Sequence, residues 1–110
     1  MSAFQRRKGR AGEQEVARLY REQGIAAARV PNSGGLDTKG DLVGVPGTHV
    51  EVKCAGTIRI LEWLRQAEAE APAGQTPAVH FRLSRRGAST GWYVAISLDD
   101  HIDLLKRAEL

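Results

Sequence analysis

Three charged residues interrupt an otherwise apolar, β-prone stretch, GDLVGVPGTHVEVK at residues 40–53: Asp41, Glu51 and Lys53. A strand that only filled a core would carry valine at those places. Glu51 and Lys53 are two apart, so on a strand they share a face, while Val50 and Val52 take the opposite face and can enter a core. Whether Asp41 joins Glu51 depends on the turn. A two-residue loop at Pro46-Gly47 pairs Asp41 with Val52 and sends the carboxylates to opposite faces. A three-residue loop, Val45-Pro46-Gly47, pairs Gly44 with Thr48 and Asp41 with Glu51. Pro-Gly suits a type II turn, which fits a tight two-residue hairpin poorly. The longer loop, or a bulge near Asp41, is therefore expected.

Two adjacent carboxylates repel, and desolvation adds to the cost. A divalent cation reverses that balance. Mg²⁺ takes oxygen ligands, often one or two carboxylates with water and substrate phosphate. Such an ion orients water, lowers its pKa and stabilises charge developing on a phosphodiester. Lys53, one pleat further, could hold the attacking water or contact the phosphate. Glu13 shares a helical stripe with Val16, Ala17 and Tyr20, which should face the sheet. Alone, it could simply reach solvent at the rim; beside Asp41 and Glu51, a role at the metal or the nucleophilic water is favoured. The competing explanation for the hairpin is a surface ladder in which Lys53 pairs with Glu51 or Asp41 across strands.

These residues need elements to position them. Residues 10–23 have helical periodicity in Val16, Leu19 and Tyr20, with Gly24 as a stop. IAAARV at 25–30 is a short extended segment closed by the turn-rich PNSGG. Leu42–Val45 and His49–Cys54 are two strands. Residues 58–71 form an amphipathic helix with Leu61, Leu64, Ala67 and Ala71 on one face, ended by Pro72 and Gly74. Ala78–Leu83 and Gly91–Leu98 flank SRRGAST as a last hairpin. Asp99 or Asp100 caps a final helix bearing Ile102, Leu104 and Leu105. The order α-β-β-β-α-β-β-α predicts an α/β fold, one mixed sheet flanked by helices.

Composition limits the classes. The 110 residues suit one domain, 1–110, and 42% hydrophobic content suits a folded one. A single cysteine, Cys54, excludes an internal disulfide and a CxxC zinc cage; a small, partly buried thiol is expected. No apolar run is long enough to span a membrane, so a soluble, cytoplasmic protein with no membrane partner is expected. The net charge is +3, and the basic residues are clustered: Arg6, Arg7, Lys8 and Arg10 near the start, Arg82, Arg85 and Arg86 later. Such clusters neutralise phosphates or, equally well, solubilise a surface. His49, His80 and His101 have no H-x-x-x-H spacing, and His49 is expected at a strand rim. Trp63 lies off its helix's main stripe and suits packing, a dimer anchor or a base platform. Trp92 and Tyr93 belong to the last hairpin's packing. Leu104, Leu105 and Leu110 either support a dimer contact or dock the last helix.

Gly-Asp at a strand start, Glu-x-Lys on the next strand and an upstream helical glutamate together resemble the PD-(D/E)xK nuclease superfamily, with its restriction-endonuclease-like fold. The opening RRKGRAGEQEVARLYREQGIAAARVPNSGG is similar to that of archaeal-type Holliday-junction resolvases, including their phage relatives. Lys8-Gly9, Glu13, Arg29 and Ser33-Gly34-Gly35 occupy the family's places for the basic pair, the helical glutamate, the strand arginine and the loop before the aspartate. The resemblance implies that Asp41 and Glu51 bind Mg²⁺, with Mn²⁺ as the alternative, that Lys53 assists the nucleophile, and that Glu13 completes the metal site. It implies that Arg29 and Ser33 support phosphate or junction binding. Basic residues 6–10, with Arg85 and Arg86, would hold the junction arms. It also implies a homodimer whose paired sites nick opposed strands of a two-fold-symmetric four-way junction. There are two departures: Gly40 replaces the proline of the motif, and Gln14 stands where an arginine often follows the glutamate, a contact that Arg10 could supply. Two rival functions stay open: the same fold cutting other branched or nicked DNA, and a non-catalytic DNA-binding module with a vestigial site.

Overall fold

The computed structural model describes residues 3–30, 40–85 and 87–109; the side chains of residues 3–7, Ala88 and Ser89 are outside that description, as are Ser33 and Arg86 altogether. The chain runs α1 (Ala3–Glu22), β1 (Ala28–Arg29), β2 (Leu42–Val43), β3 (Thr48–Ala55), α2 (Ile60–Glu70), β4 (Thr76–Arg85), β5 (Ala88–Ser89), β6 (Tyr93–Ala95) and α3 (Leu98–Ala108). The main sheet has the order β1-β2-β3-β4-β6, and the two-residue β5 pairs with the far end of β4. This is the expected mixed sheet with helices, in the expected order, plus that small extra strand.

The pairing explains the burial. β1, β2 and β3 run antiparallel in turn, whereas β3 and β4 are parallel and joined through α2. A parallel pair needs a crossover, and a helical crossover covers one sheet face. α1 covers the other: Val16 and Ala17 pack with Val50, Val52, Leu42 and Ala27. On the α2 side, Trp63 and Ala67 pack with Val79, and Ala55, Phe81 and Ala95 close the cluster. β3 is thus buried on both faces, His49 and Glu51 included.

Local chemistry sets the hairpin. Thr48 N donates to Val45 O at 3.2 Å across Pro46-Gly47, and Gly47 has φ +61°, as a Pro-Gly type II turn requires. Leu42 pairs with Val50, so the three-residue loop is the one formed, and Asp41, just before β2, donates its N–H to Val50 O. Gly44 is the tightest point, with φ +89° and space so limited that a Cβ would sit 2.1 Å from Ala26 O. Gly44→Ala should destabilise the fold by about 2 kcal/mol or more, from αL strain plus backbone displacement. Chemical denaturation of the two proteins checks this.

Several expectations need correction. α1 begins at Ala3, so the basic cluster at 6–10 is helical and not a tail. Its Gln, Arg and Lys residues are good helix formers, and a solvated helix start needs no apolar stripe. On α2 the inward stripe contains buried Trp63 and Ala67, while Leu61 is exposed. The two sheet-facing neighbours, Val79 and Phe81, make a slot that suits an aromatic ring better than leucine. α3 is capped by Ser97, whose Oγ accepts from Asp100 N at 3.1 Å; Asp99 and Asp100 fall in the first turn, where they complement the helix dipole. Trp92 does pack inward, against the α1 cluster with Arg82 over its ring at 4.9 Å, but Tyr93 is largely exposed beside Phe81.

Candidate active site

Asp41 is held by three hydrogen bonds. Its N–H donates to Val50 O at 2.8 Å, its carbonyl accepts from Val30 N at 2.9 Å, and Oδ2 accepts from Val52 N at 2.6 Å. The carboxylate therefore takes a place in the ladder where β2 is too short to pair. Gly40, just before it, has φ +90°, and a Cβ there would sit 3.1 Å from Val50 O and 3.2 Å from the His49 ring. Proline is locked near φ −65° and cannot adopt this conformation. The departure from Pro-Asp is thus a backbone requirement of this entry into β2.

Glu51 lies on the α2 face of β3 and is 5% exposed. Burial first, then the negative charges of Asp41 and Glu70 and a hydrogen bond with Glu70, push its pKa up to about 8; Lys53 opposes them. Asp41 is also raised, mainly by burial, against the lowering effects of the Val52 N–H, a hydrogen bond from Glu51, and the charges of Lys53 and His49. The two carboxyls thus act on each other, and burial with the charge of Asp41 favours the protonated form of Glu51. Lys53 Nζ donates to Gln66 Oε1 at 3.4 Å, and Gln66 Nε2 to Glu70 Oε1 at 3.5 Å, so α2 walls the pocket.

Glu13 approaches from the other side. Its pKa is raised, first by burial and then by Asp41, and lowered by the Arg29 and Arg10 guanidiniums. Arg29 Nε donates to Glu13 Oε1 at 2.8 Å, a pair with both side chains mostly covered. Asp41, at the end of β2, acts on both Glu13 and Glu51 and is the link between helix and strand acids. Glu13, Asp41, Glu51, Lys53, Arg29 and Arg10 are thus one neighbourhood. The basic clusters also meet: Lys8 Nζ donates to Ser84 O at 3.3 Å, which sets it beside Arg85. Arg82 turns inward to Glu15 at 3.1 Å. Arg6 and Arg7 lie on α1; Ser33 and Arg86 are outside the described residues.

Two residues escaped the sequence analysis, Glu70 and Gln66, and a third, His49, was expected in a different setting. His49 is 2% exposed, not at a rim, with Nε2 3.2 Å from Glu51 Oε1. Glu70 and Gln66 come from α2. Among the described residues, His49, Glu51 and Glu70 each offer a ligand atom within 4.8 Å of the others. Gln66 and Glu70 are four apart, one helical turn, and that signal was present. What they face depends on the β3-α2-β4 crossover, which no local spacing encodes. Two other residues have structural roles. His80 is buried, with its Nδ1 at 3.2 Å from Ala78 O and its Nε2 at 2.5 Å from the Tyr20 hydroxyl, and burial lowers its pKa. Cys54 is partly buried, as expected.

A mixed sheet bearing Gly-Asp beside one strand and Glu-x-Lys on the next, with Asp41 bonded to β3 on either side of Glu51, defines a nuclease of the PD-(D/E)xK superfamily. The family model of the archaeal Holliday junction resolvases (Hjc) matches residues 4–70, which is more than half of the 110-residue chain. The chain belongs to that family of junction-resolving endonucleases, proteins of DNA recombination and repair. No curated protein and no solved structure matches it. No described helix is long and apolar enough to cross a membrane.

Proposed function

We propose that this protein resolves four-way DNA junctions by metal-dependent phosphodiester hydrolysis, as a homodimer that cuts two opposed strands. The observation that carries the reading is that Asp41, bonded to Val50 and Val52 on either side of Glu51, acts on that buried carboxyl, with Lys53 acting on both. Folding gains nothing from that arrangement without a cation. The donors fit one: Asp41 and Glu51 would hold Mg²⁺, with Glu13 completing the set through its place beside Asp41. The imidazole of His49 next to Glu51 widens the choice toward Mn²⁺. Bound there, the ion supplies charge neutralisation and a more acidic water.

The chain's own residues do the rest. Lys53 orients the attacking water or the phosphate, and Gln66 holds its ammonium in place. Arg29 fixes Glu13 by its Nε bond and retains donors for a phosphate oxygen. Arg6, Arg7, Lys8, Arg10, Arg85, Arg86 and Ser33 contact the arms through backbone phosphates, so shape and not base sequence is read.

The test is a four-way junction incubated with protein, with and without Mg²⁺ or Mn²⁺, with products mapped on all strands beside flap, nicked and linear DNA. Metal-dependent, symmetric nicks in opposed strands of the junction are expected. Linear duplex cut as fast as the junction refutes the resolvase reading, and binding without cleavage under either metal leaves the DNA-binding module.

A further inference from the structure

No residue of α3 is buried, and Asp100 is the most covered in it. Of the large hydrophobics in α3, only Leu104, 41% exposed and four residues on, shares the Asp100 side. Leu98, Ile102 and Leu105, at offsets of four and seven, form a stripe on the opposite side, with Leu98 70% and Leu105 53% exposed. Tyr93 and Val94, on the edge strand immediately before the helix, are exposed as well. An 11-residue helix with such a stripe should not form stably without something to cover it.

We propose that α3 is covered by α3 of a second copy, packed antiparallel about a two-fold axis. The charges on the page select this occupant. Asp99 and Lys106 are seven apart, so both lie on one flank of the stripe. In an antiparallel pair that flank meets the same flank of the other helix, so Asp99 faces Lys106 of the second copy and Lys106 faces its Asp99. Leu98 then meets Leu105 of the second copy, and Ile102 meets Ile102. The contact is self-complementary, as an isologous interface must be, and the helix dipoles oppose. Phosphate or an anionic membrane fits worse, because Asp99, Asp100 and Asp103 outnumber Lys106 and Arg107 on the helix. The inference deepens the two-subunit reading above by naming its surface.

The experiment is light scattering across a concentration series, supported by circular dichroism. The wild type should approach twice the 12.0 kDa chain mass. Ile102→Glu with Leu105→Glu should be monomeric, should lose helix signal from the 11-residue α3 alone and should melt at a lower midpoint, because the dimer no longer covers that helix. Asp99→Lys alone and Lys106→Asp alone should each weaken the dimer about tenfold, by turning two attractions into two repulsions. Mixing the two single variants should restore dimers, since each repulsion becomes an attraction in the mixed pair. A wild-type dimer that the double glutamate variant leaves intact overturns this surface and spares paired cleavage. Loss in both single variants without recovery on mixing overturns the antiparallel arrangement. A wild type that stays monomeric, free and on the junction, overturns both this surface and the two-subunit reading.

Discussion

Asp41→Asn and Glu51→Gln are each expected to slow single-turnover junction cleavage by at least about 10³-fold, or roughly 4 kcal/mol of transition-state stabilisation, while junction binding survives or tightens. Both variants should fold. The bond from Val52 N to Asp41 Oδ2 can be kept by an asparagine oxygen. Glutamine is nearly isosteric with the neutral acid that Glu51 is below about pH 8. Neither variant adds negative charge toward the approaching phosphate, and Asp41→Asn removes an acid there, which is why binding should not suffer. Cleavage rates and fluorescence anisotropy at one fixed salt concentration check the pair, because phosphate contacts make affinity steeply salt-dependent. Undiminished cleavage in both variants would refute the acidic site.

The second large effect is on metal affinity. A cation can bind Glu51 only after its proton leaves, and that proton is held to about pH 8. Apparent affinity for Mg²⁺ or Mn²⁺ should therefore rise roughly 50-fold from pH 6 to pH 8, and calorimetry in two buffers should show about one proton released per ion near pH 6. Glu70→Gln removes a charge and a hydrogen bond that both raise Glu51, so its rise should be centred at lower pH. Stability carries the opposite sign. In metal-free protein the unfolded chain loses this proton near pH 4.5 and the folded chain near 8, so the favourable contribution, complete below 4.5, is lost as pH rises to 8. Saturating metal should cancel that loss. Affinity that is flat across the same pH range would show that Glu51 is not a ligand.

Much of this site was legible before folding was considered. Val50 and Val52 could be assigned to the core and Glu51 and Lys53 to the other face because a strand's side chains alternate. The Leu42–Val50 register followed from Pro46-Gly47, whose turn preference selects loop length. Glu13 could be tied to the sheet by its stripe. His49 was expected at a rim, because its burial comes only from α2 lying over β3. Trp63 was set off the inward stripe with packing among its open roles, because three hydrophobics in one helical turn leave the inward face ambiguous until the opposing slot is known.

Residue type and short-range spacing alone determined the two carboxyls, the lysine, their shared face and the turn that joins them. Those rest on pleat and turn geometry, which act over a few residues. The tertiary structure decided how deeply Glu51 is buried, which residues surround it, that Lys8 and Arg85 meet, and that α3 is left uncovered. Each of these depends on the parallel β3-α2-β4 crossover or on packing between distant segments, and desolvation is a property of what surrounds a group in space, not of its neighbours in the chain.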